Sequence, residues 1–213
     1  MLEGGRRAQA GVEALRAAIA ARRPRPTILS LEGRLQAAVC VPLHAGGRGL
    51  EIWAIKRAEG LRHHAREIAF PGGKPDDDDD GLADTALREL GEELGIDRAD
   101  VRLLGPLPPV PTATSRFTLN PFVVVVADHA VARPQQVEVA ALIRMPVADF
   151  FAGRVPYRAV EFAPGWRSPI FDFDVGSMYG ASAHVMEVML EVCAEVSGLP
   201  FPEPVPTDQI PWQ

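Results

Sequence analysis

The sequence predicts a single α+β domain. β-favouring runs and helix-like segments are mixed along it without the strict strand–helix–strand alternation typical of a parallel sheet. Its 213 residues exceed a typical domain length of about 150 by an amount that suggests one domain with appendages. Hydrophobic residues make up 47%, which is enough apolar surface to bury a core and excludes wholesale disorder.

The elements are predicted from apolar spacing and from the residues that stop each run. Val12, Leu15 and Ile19 have the spacing of a helix. Gly95 is suited to end a second helix, which covers residues 82–94. The predicted helices are residues 11–22, 82–94, 146–151 and 181–196. The predicted strands are residues 36–42, 50–55, 68–70, 101–104, 117–127 and 139–145, with a hairpin at 165–173. Residues 105–118 form a Pro/Thr/Ser-rich functional loop, and the proline-rich residues from 200 onward are expected to be extended.

Charge and cysteine content exclude several functional classes. A net charge of −6 makes the chain a poor candidate for binding nucleic acid through its phosphates. Cys40 and Cys193 do not make a disulfide framework, and we expect buried, reduced thiols. Residues 1–24 lack the apolar core of a secretory signal, and no apolar run reaches the ~20 residues of a membrane span. A cytoplasmic protein without a membrane partner is expected.

Three carboxylates share one face of the predicted helix 82–94. Glu89, Glu92 and Glu93 lie at i, i+3 and i+4, a spacing that stacks them together. Like charges so arranged destabilise a helix, and a divalent cation such as Mg²⁺ or Mn²⁺ would compensate. A solvated acidic face is the alternative.

The aspartate run at residues 76–80 allows a second kind of site to be tested. Asp76, Asp78, Asp80 and Gly81 fit the start of an EF-hand loop, whose twelfth position should be a bidentate Glu. That position is Leu87, so the EF-hand interpretation fails. Most of the run is expected to be a solvated loop.

The segment around the carboxylates resembles the Nudix box, Gly-x5-Glu-x7-Arg-Glu-U-x-Glu-Glu-x-Gly-U, where U is aliphatic. Residues 88–96 match its second half at every defined position. In the first half, the spacing from Gly73 to Arg88 is one residue longer than usual, and Asp79 or Asp80 stands where Glu is expected. Gly72 and Gly73 are expected to let the backbone turn sharply and approach a ligand.

The resemblance implies a mixed-sheet α/β/α sandwich that hydrolyses phosphoanhydrides with Mg²⁺ or Mn²⁺. The domain would span residues 27–199, after a helical extension at 1–26 and before a tail at 200–213. The implied metal-site residues are Glu89, Glu92, Glu93, Gly73 and Asp80. Arg88 would orient a glutamate, and Glu138 would orient or deprotonate water, although an exposed strand residue is an equal interpretation of Glu138.

Flanking segments are similar to the coenzyme A pyrophosphatase branch of that family. Residues 57–73 match its Arg-[Ser/Ala]-x3-Arg-x3-Gly-x3-Phe-Pro-Gly-Gly signature except that Arg66 replaces the first Gly. Residues 111–117 and 138–139, and Tyr179 with Gly180, resemble later elements of the branch. The candidate substrate-binding residues are Arg57, Arg62, His63, Arg66, Gly73 and Lys74. These basic residues are also compatible with a solvated loop.

Arg66 has two consequences that depend on the backbone. If this position needs a positive φ, Arg costs about 1 kcal/mol or more there. If Gly serves close ligand approach, Arg fills that space or adds a phosphate contact.

Three functions follow from the resemblance. The first is hydrolysis of coenzyme A or acyl-CoA to 3′,5′-ADP and (acyl-)4′-phosphopantetheine. The second is hydrolysis of another nucleoside diphosphate derivative, such as ADP-ribose or a dinucleotide. The third is a non-catalytic nucleotide-binding module, against which the intact carboxylates argue. A small nucleotide is the expected partner, and a homodimer is possible.

Overall fold

Two sheets and four helices make up the part of the chain that the computed structural model describes, residues 2–23, 32–61, 64–113, 115–163 and 166–211. The helices are α1 (Leu2–Ala21), α2 (Leu82–Leu94), α3 (Val147–Phe151) and α4 (Gly180–Ser197), with a 3₁₀ turn at Arg98–Asp100. The strands are β1 (Leu35–Gly46), β2 (Gly49–Arg57), β3 (Ile68–Ala69), β4 (Gly72–Gly73), β5 (Val101–Pro106), β6 (Val110–Pro111), β7 (Phe117–Val126), β8 (Val139–Pro146), β9 (Tyr157–Ala163), β10 (Trp166–Phe173), β11 (Gly176–Met178) and β12 (Val205–Pro206).

The larger sheet is mixed. Its strands follow the order β3-β2-β1-β7-β5, with β4 paired to β1, β6 to β7 and β8 to β2. β1 and β7 run parallel, while β1 pairs antiparallel with both β2 and β4. The smaller sheet has the order β11-β10-β9-β12. This mixture confirms the predicted α+β class.

Helices cover both faces of the larger sheet because its central strands are apolar on both sides. In β1, Val39 and Val41 contribute to the core beneath α1 and α4, whereas Ala38 and Cys40 contribute to the core beneath α2. The alternation follows from the two-residue period of a strand. The arrangement is the expected α/β/α sandwich, and among the described helices only the carboxylate helix packs on the second face.

The carboxylate helix α2 has the predicted bounds, 82–94. Leu90 and Leu94 are fully buried against the sheet. Gly95 ends the helix with φ 62°, and its amide donates to the Gly91 carbonyl at 2.8 Å. Such a left-handed residue is the usual way to close a helix. Because Leu87 lies inside this helix, the EF-hand alternative is also excluded by the structure.

Other elements extend or correct the sequence predictions. Helix α1 begins at Leu2 rather than at residue 11. In the first hairpin, β1 continues to Gly46 and β2 begins at Gly49, so both strands are longer than predicted. Strand β9 was not predicted, although it is the hairpin partner of β10. Residue 165 of the predicted hairpin lies outside the described residues, and 166–173 form the single strand β10 rather than a complete hairpin.

Both appendages pack on the body of the domain. Leu15, Ala18 and Ile19 of α1 are buried in the core, and Phe201 packs against that core from the other terminus. Val205 pairs with Arg158, so the C-terminal segment adds a parallel edge strand to the smaller sheet. The boundaries at residues 26 and 199 stay a prediction. Among the described helices, none combines the length and the apolar composition that crossing a membrane requires.

Candidate active site

The glycine pair is a strand that touches the carboxylate helix. Gly72 and Gly73 form β4 beside Val39 and Ala38. A Cβ on Gly73 would lie 2.0 Å from Oε1 of Glu89, and one on Gly72 would lie 2.4 Å from the Ala38 carbonyl oxygen. Neither glycine has a positive φ. The expected sharp turn is therefore absent from this pair, and glycine is required because backbone, sheet and carboxylate approach so closely.

Glu93 is the most buried of the three glutamates, with 1% of its side chain exposed. The Gly72 amide donates to its Oε2 at 3.1 Å, and Arg57 donates from Nη1 to its Oε1 at 3.2 Å. Burial raises the pKa of Glu93 to about 7, and repulsion from Glu89 and Glu138 adds to it, while Arg57 and the Gly72 amide oppose it. The buried carboxylate of Glu93 is thus unfavourable as an anion, and two hydrogen-bond donors partly offset that cost.

Glu89 and Glu92 lie progressively closer to solvent, with 14% and 57% of their side chains exposed. Nη1 of Arg88 donates to Glu89 at 3.1 Å and to Glu92 at 3.0 Å. Burial raises the pKa of Glu89 most strongly, Arg88 lowers it, and the charges of Glu92 and Glu138 raise it further. Arg88 thus joins Glu89 to Glu92, and Glu89 lies near enough to Glu93 to raise the pKa of Glu93.

Arg88 also identifies which aspartate replaces the expected Glu. Its Nε and Nη2 donate to the two carboxylate oxygens of Asp79 at 3.0 and 3.1 Å, and Nη2 reaches the Lys74 carbonyl at 3.1 Å. This bidentate contact holds the pKa of Asp79 well below its usual range. Asp79 is 4% exposed because Arg88 covers it, whereas Asp80 is exposed and offers its amide to Asp84 at 3.3 Å. Of the two aspartates left open for the Glu position, Asp79 is therefore the one that Arg88 binds. The metal role implied for Asp80 stays a prediction.

Glu138 lies in the turn before β8, not within a strand. Its carbonyl accepts the Ala58 amide at 2.8 Å, which joins this turn to the end of β2. The amides of Arg133 and Gln135 donate to the last carbonyls of α2, those of Leu94 at 2.6 Å and Glu93 at 2.9 Å. These bonds satisfy helix-end acceptors that would otherwise be unpaired. They also keep Glu138 near enough to affect the pKa of both Glu89 and Glu93.

Arg66 occupies a left-handed backbone position, with φ 65°. Its amide donates to the Arg57 carbonyl at 3.2 Å, and the Arg57 amide donates to Glu67 at 2.9 Å, which closes the loop on itself. The Arg66 side chain is 67% exposed and pairs with Glu59 at 3.1 Å. The first of the two alternatives for this residue therefore holds: the replaced glycine stood at a positive-φ position.

The remaining predicted binding residues are placed less directly. The Lys74 ammonium lies 5.2 Å from the centre of the Phe117 ring, at the start of β7. Arg62 and His63 lie outside the described residues. Tyr179, just before α4, interacts with Glu67, and burial followed by this interaction raises the pKa of Tyr179 to about 12. Sequence patterns do not predict this contact because the two residues are far apart in the chain.

The residues fit a hard divalent cation. Glu89 and Glu93 are oxygen donors that repel each other, are partly desolvated, and face a glycine with no Cβ. Within the described ranges, no three His, Cys, Asp or Glu side chains already converge as a ready-made ligand set. Arg57 pairs with Glu93, and Arg88 pairs with Glu89 and Glu92.

Comparison with known proteins agrees with this geometry. Residues 34–164 match the model of the NUDIX domain family. Over 127 residues the chain is 37% identical to a Pectobacterium atrosepticum protein named Uncharacterized Nudix hydrolase NudL, covering 60% of this chain and 65% of that protein. A Cronobacter sakazakii protein of the same name is 41% identical over 128 residues, with the same coverage. The match thus spans less than two thirds of these relatives.

Solved structures show the likeness of fold. The crystal structure of RenU, a Nudix hydrolase from M. smegmatis, aligns with a TM-score of 0.50 and 14% identity. The alignment covers 80% of this chain and 90% of that one.

Proposed function

The chain belongs to the Nudix family, and on that premise we propose that it is a divalent-metal-dependent pyrophosphatase acting on a nucleoside diphosphate derivative. One observation carries the proposal: Glu93 is buried against the Gly72 amide, with the charges of Glu89 and Glu138 close by. Such a cluster is unfavourable without a cation and suits chemistry on an anionic phosphate.

The proposed roles follow from the contacts. Glu89 and Glu93, with Glu92 at the exposed edge and the Gly73 backbone beside them, would hold Mg²⁺ or Mn²⁺. When bound, the cation supplies charge neutralisation on phosphate oxygens and activates a water. Arg88, fixed by Asp79, keeps Glu89 and Glu92 oriented.

The reaction adds water across one phosphoanhydride bond. The water oxygen attacks phosphorus, and the bond to the bridging oxygen breaks. The leaving oxygen takes up a proton, and each product keeps one phosphate of the cleaved diphosphate. Glu138 is the candidate to orient this water or to accept its proton, because its charge lies within electrostatic reach of Glu89 and Glu93.

Coenzyme A or acyl-CoA is the proposed substrate, giving 3′,5′-ADP and (acyl-)4′-phosphopantetheine. Supporting this, residues in or beside three segments that resemble the coenzyme A branch contact the carboxylate helix or one another. Arg57 contacts Glu93, Lys74 lies over Phe117, and Tyr179 interacts with Glu67. Arg34 also binds the Thr/Ser-rich loop, through the carbonyls of Thr112 at 3.1 Å and Ser115 at 2.9 Å.

A second candidate, hydrolysis of ADP-ribose or a dinucleotide, is favoured by one observation. Arg66 departs from the branch signature and turns its side chain to Glu59. This loop therefore differs from the pattern that the coenzyme A assignment relies on.

The test is product analysis with a substrate panel. We expect the protein with Mg²⁺ or Mn²⁺ to cleave coenzyme A in preference to ADP-ribose, NADH and dinucleoside polyphosphates, and to release 3′,5′-ADP. Preferred cleavage of another member would transfer the assignment to the second candidate. No turnover of any member would favour a binding module, and near-normal turnover by Glu93→Gln would refute the metal-site assignment.

A further inference from the structure

Arg57 is a predicted substrate-binding residue, yet its guanidinium contacts the carboxylate cluster. It is the last residue of β2, and its Nη1 donates to Glu93, which is almost completely buried. The Arg57 side chain is itself 22% exposed. Its positive charge therefore pairs with the most buried carboxylate of the cluster.

The guanidinium of Arg57 is also incompletely satisfied. Its Nε is buried and has no hydrogen-bond partner among the described residues. A buried donor of a charged group is unfavourable when it has no acceptor. The position of the Arg57 side chain is therefore stabilised by its contact with Glu93, and not by hydrogen bonds from all of its nitrogens.

A divalent cation at Glu93 would share that carboxylate with Arg57. Both oxygens of Glu93 already accept a hydrogen bond, Oε1 from Arg57 and Oε2 from Gly72. The Gly72 amide is neutral and fixed in β4, so it does not repel a cation. Arg57 carries a full positive charge within a few ångströms, in surroundings with little water to screen it.

We propose that Arg57 is the resident positive charge of the carboxylate cluster, which holds Glu93 in the metal-free protein and opposes the binding of a divalent cation there. Arg57 is thus a positioning residue that acts through Glu93. The inference rests on the proposed metal site and adds that metal affinity is limited by this arginine. It also explains how a charged, buried Glu93 is tolerated before a metal arrives.

The test is Mn²⁺ affinity in the absence of substrate, measured by electron paramagnetic resonance of free Mn²⁺. In Arg57→Gln the positive charge is removed, and we expect the dissociation constant to fall about tenfold. Arg57→Lys keeps the charge and should bind Mn²⁺ like the parent protein. Lys56→Gln is the matched control, because it removes the same charge from the neighbouring residue, whose Nζ points to the Val175 carbonyl instead.

The gain in affinity should depend on Glu93. In the Glu93→Gln background, Arg57→Gln should change Mn²⁺ affinity by less than about twofold. A parent protein that binds Mn²⁺ while Arg57→Gln binds equally or more weakly would overturn the inference and leave the proposed function standing. A parent protein that does not bind Mn²⁺ would overturn both.

A second measurement avoids the risk that Arg57→Gln does not fold. In the ¹⁵N-labelled parent, saturation with Mg²⁺ should shift the Nε–H resonance of Arg57. The resonance of Arg34, which is bound to loop carbonyls, should stay in place. An Arg57 resonance that does not respond to Mg²⁺ would contradict the inference.

Discussion

Arg88 and Asp79 form a two-bonded ion pair, in which two guanidinium nitrogens meet two carboxylate oxygens at 3.0 and 3.1 Å. The pair joins the acidic loop to the middle of α2. It leaves Nη1 of Arg88 free to reach Glu89 and Glu92. The orientation of two candidate metal ligands therefore depends on an aspartate that is not itself expected to bind metal.

Loss of the Asp79 carboxylate should impair catalysis. In Asp79→Asn the two-bonded contact to Arg88 is broken, and we expect kcat/KM to fall roughly 10- to 100-fold, as for other residues that orient metal ligands. Steady-state kinetics at saturating Mg²⁺ measures this. Asp78→Asn removes the same charge from an exposed residue next to Asp79 and should stay within about twofold of the parent. Equal losses in both variants would refute the assignment of Asp79.

A methyl group at Gly73 should abolish activity while leaving the fold intact. The added Cβ would collide with Oε1 of Glu89, the end of a flexible side chain that can move aside. Because displacement by about 1 Å can cost ~100-fold in rate, we expect Gly73→Ala to lose at least that much kcat with little change in melting temperature. Gly60→Ala is the control, since no atom of the described residues lies within 4 Å of a Cβ there. Normal turnover by Gly73→Ala would contradict this packing.

Replacement of Arg66 by glycine should stabilise the protein. The residue has φ 65°, which glycine adopts without the penalty that other L-residues incur. We expect the free energy of unfolding to rise by up to about 1 kcal/mol, because the exposed pair with Glu59 contributes little. Urea denaturation measures the change. Arg48→Gly, at an exposed arginine without a positive φ, should give no gain.

The stability of the metal-free protein should fall as pH rises, through Glu93. Its pKa is about 7 in the folded state against an ordinary value of 4.5, so the folded state binds the proton more tightly. The resulting stabilisation is complete below about pH 4.5 and is lost as pH rises through about 7. Its upper limit is about 3 kcal/mol.

The measurement is urea unfolding in chelator between pH 5.5 and 8, comparing the parent with Glu93→Gln. Other titrating groups are common to both proteins, so the difference between them isolates Glu93. We expect the parent alone to lose this contribution, and saturating Mg²⁺ to restore stability at pH 8. Parallel pH profiles would show that Glu93 is not the responsible group.

The sequence specified local features well and long-range contacts poorly. Helix α2 could be placed to the residue because apolar spacing, capping glycine and motif coincide at 82–95. The choice between Asp79 and Asp80 could not be made, since counting from Gly73 selects one and counting back from Arg88 selects the other. Only the contact with Arg88 decides between them.

Other misses have the same cause. Strand β9 carries Arg158 and Glu161 within a short run that follows a proline, so its alternation is weak in sequence. It is a strand because β10 and the distant residues of β12 pair with it. The contact of Arg57 with Glu93 was also missed, because Glu93 lies 36 residues away and is brought close only by folding. The substrate-binding role of Arg57 stays a prediction.

The amides of Arg133 and Gln135 donate hydrogen bonds to the last carbonyls of α2. These two bonds determine where the chain tolerates a change of length. Residues inserted between Ala127 and Arg133 would enlarge a surface connection at a small entropic cost and leave the turn of Glu138 in place. One residue inserted between Gln135 and Glu138 would separate that turn from the helix end. Natural variation in loop length among relatives is therefore expected before Arg133 and not after Gln135.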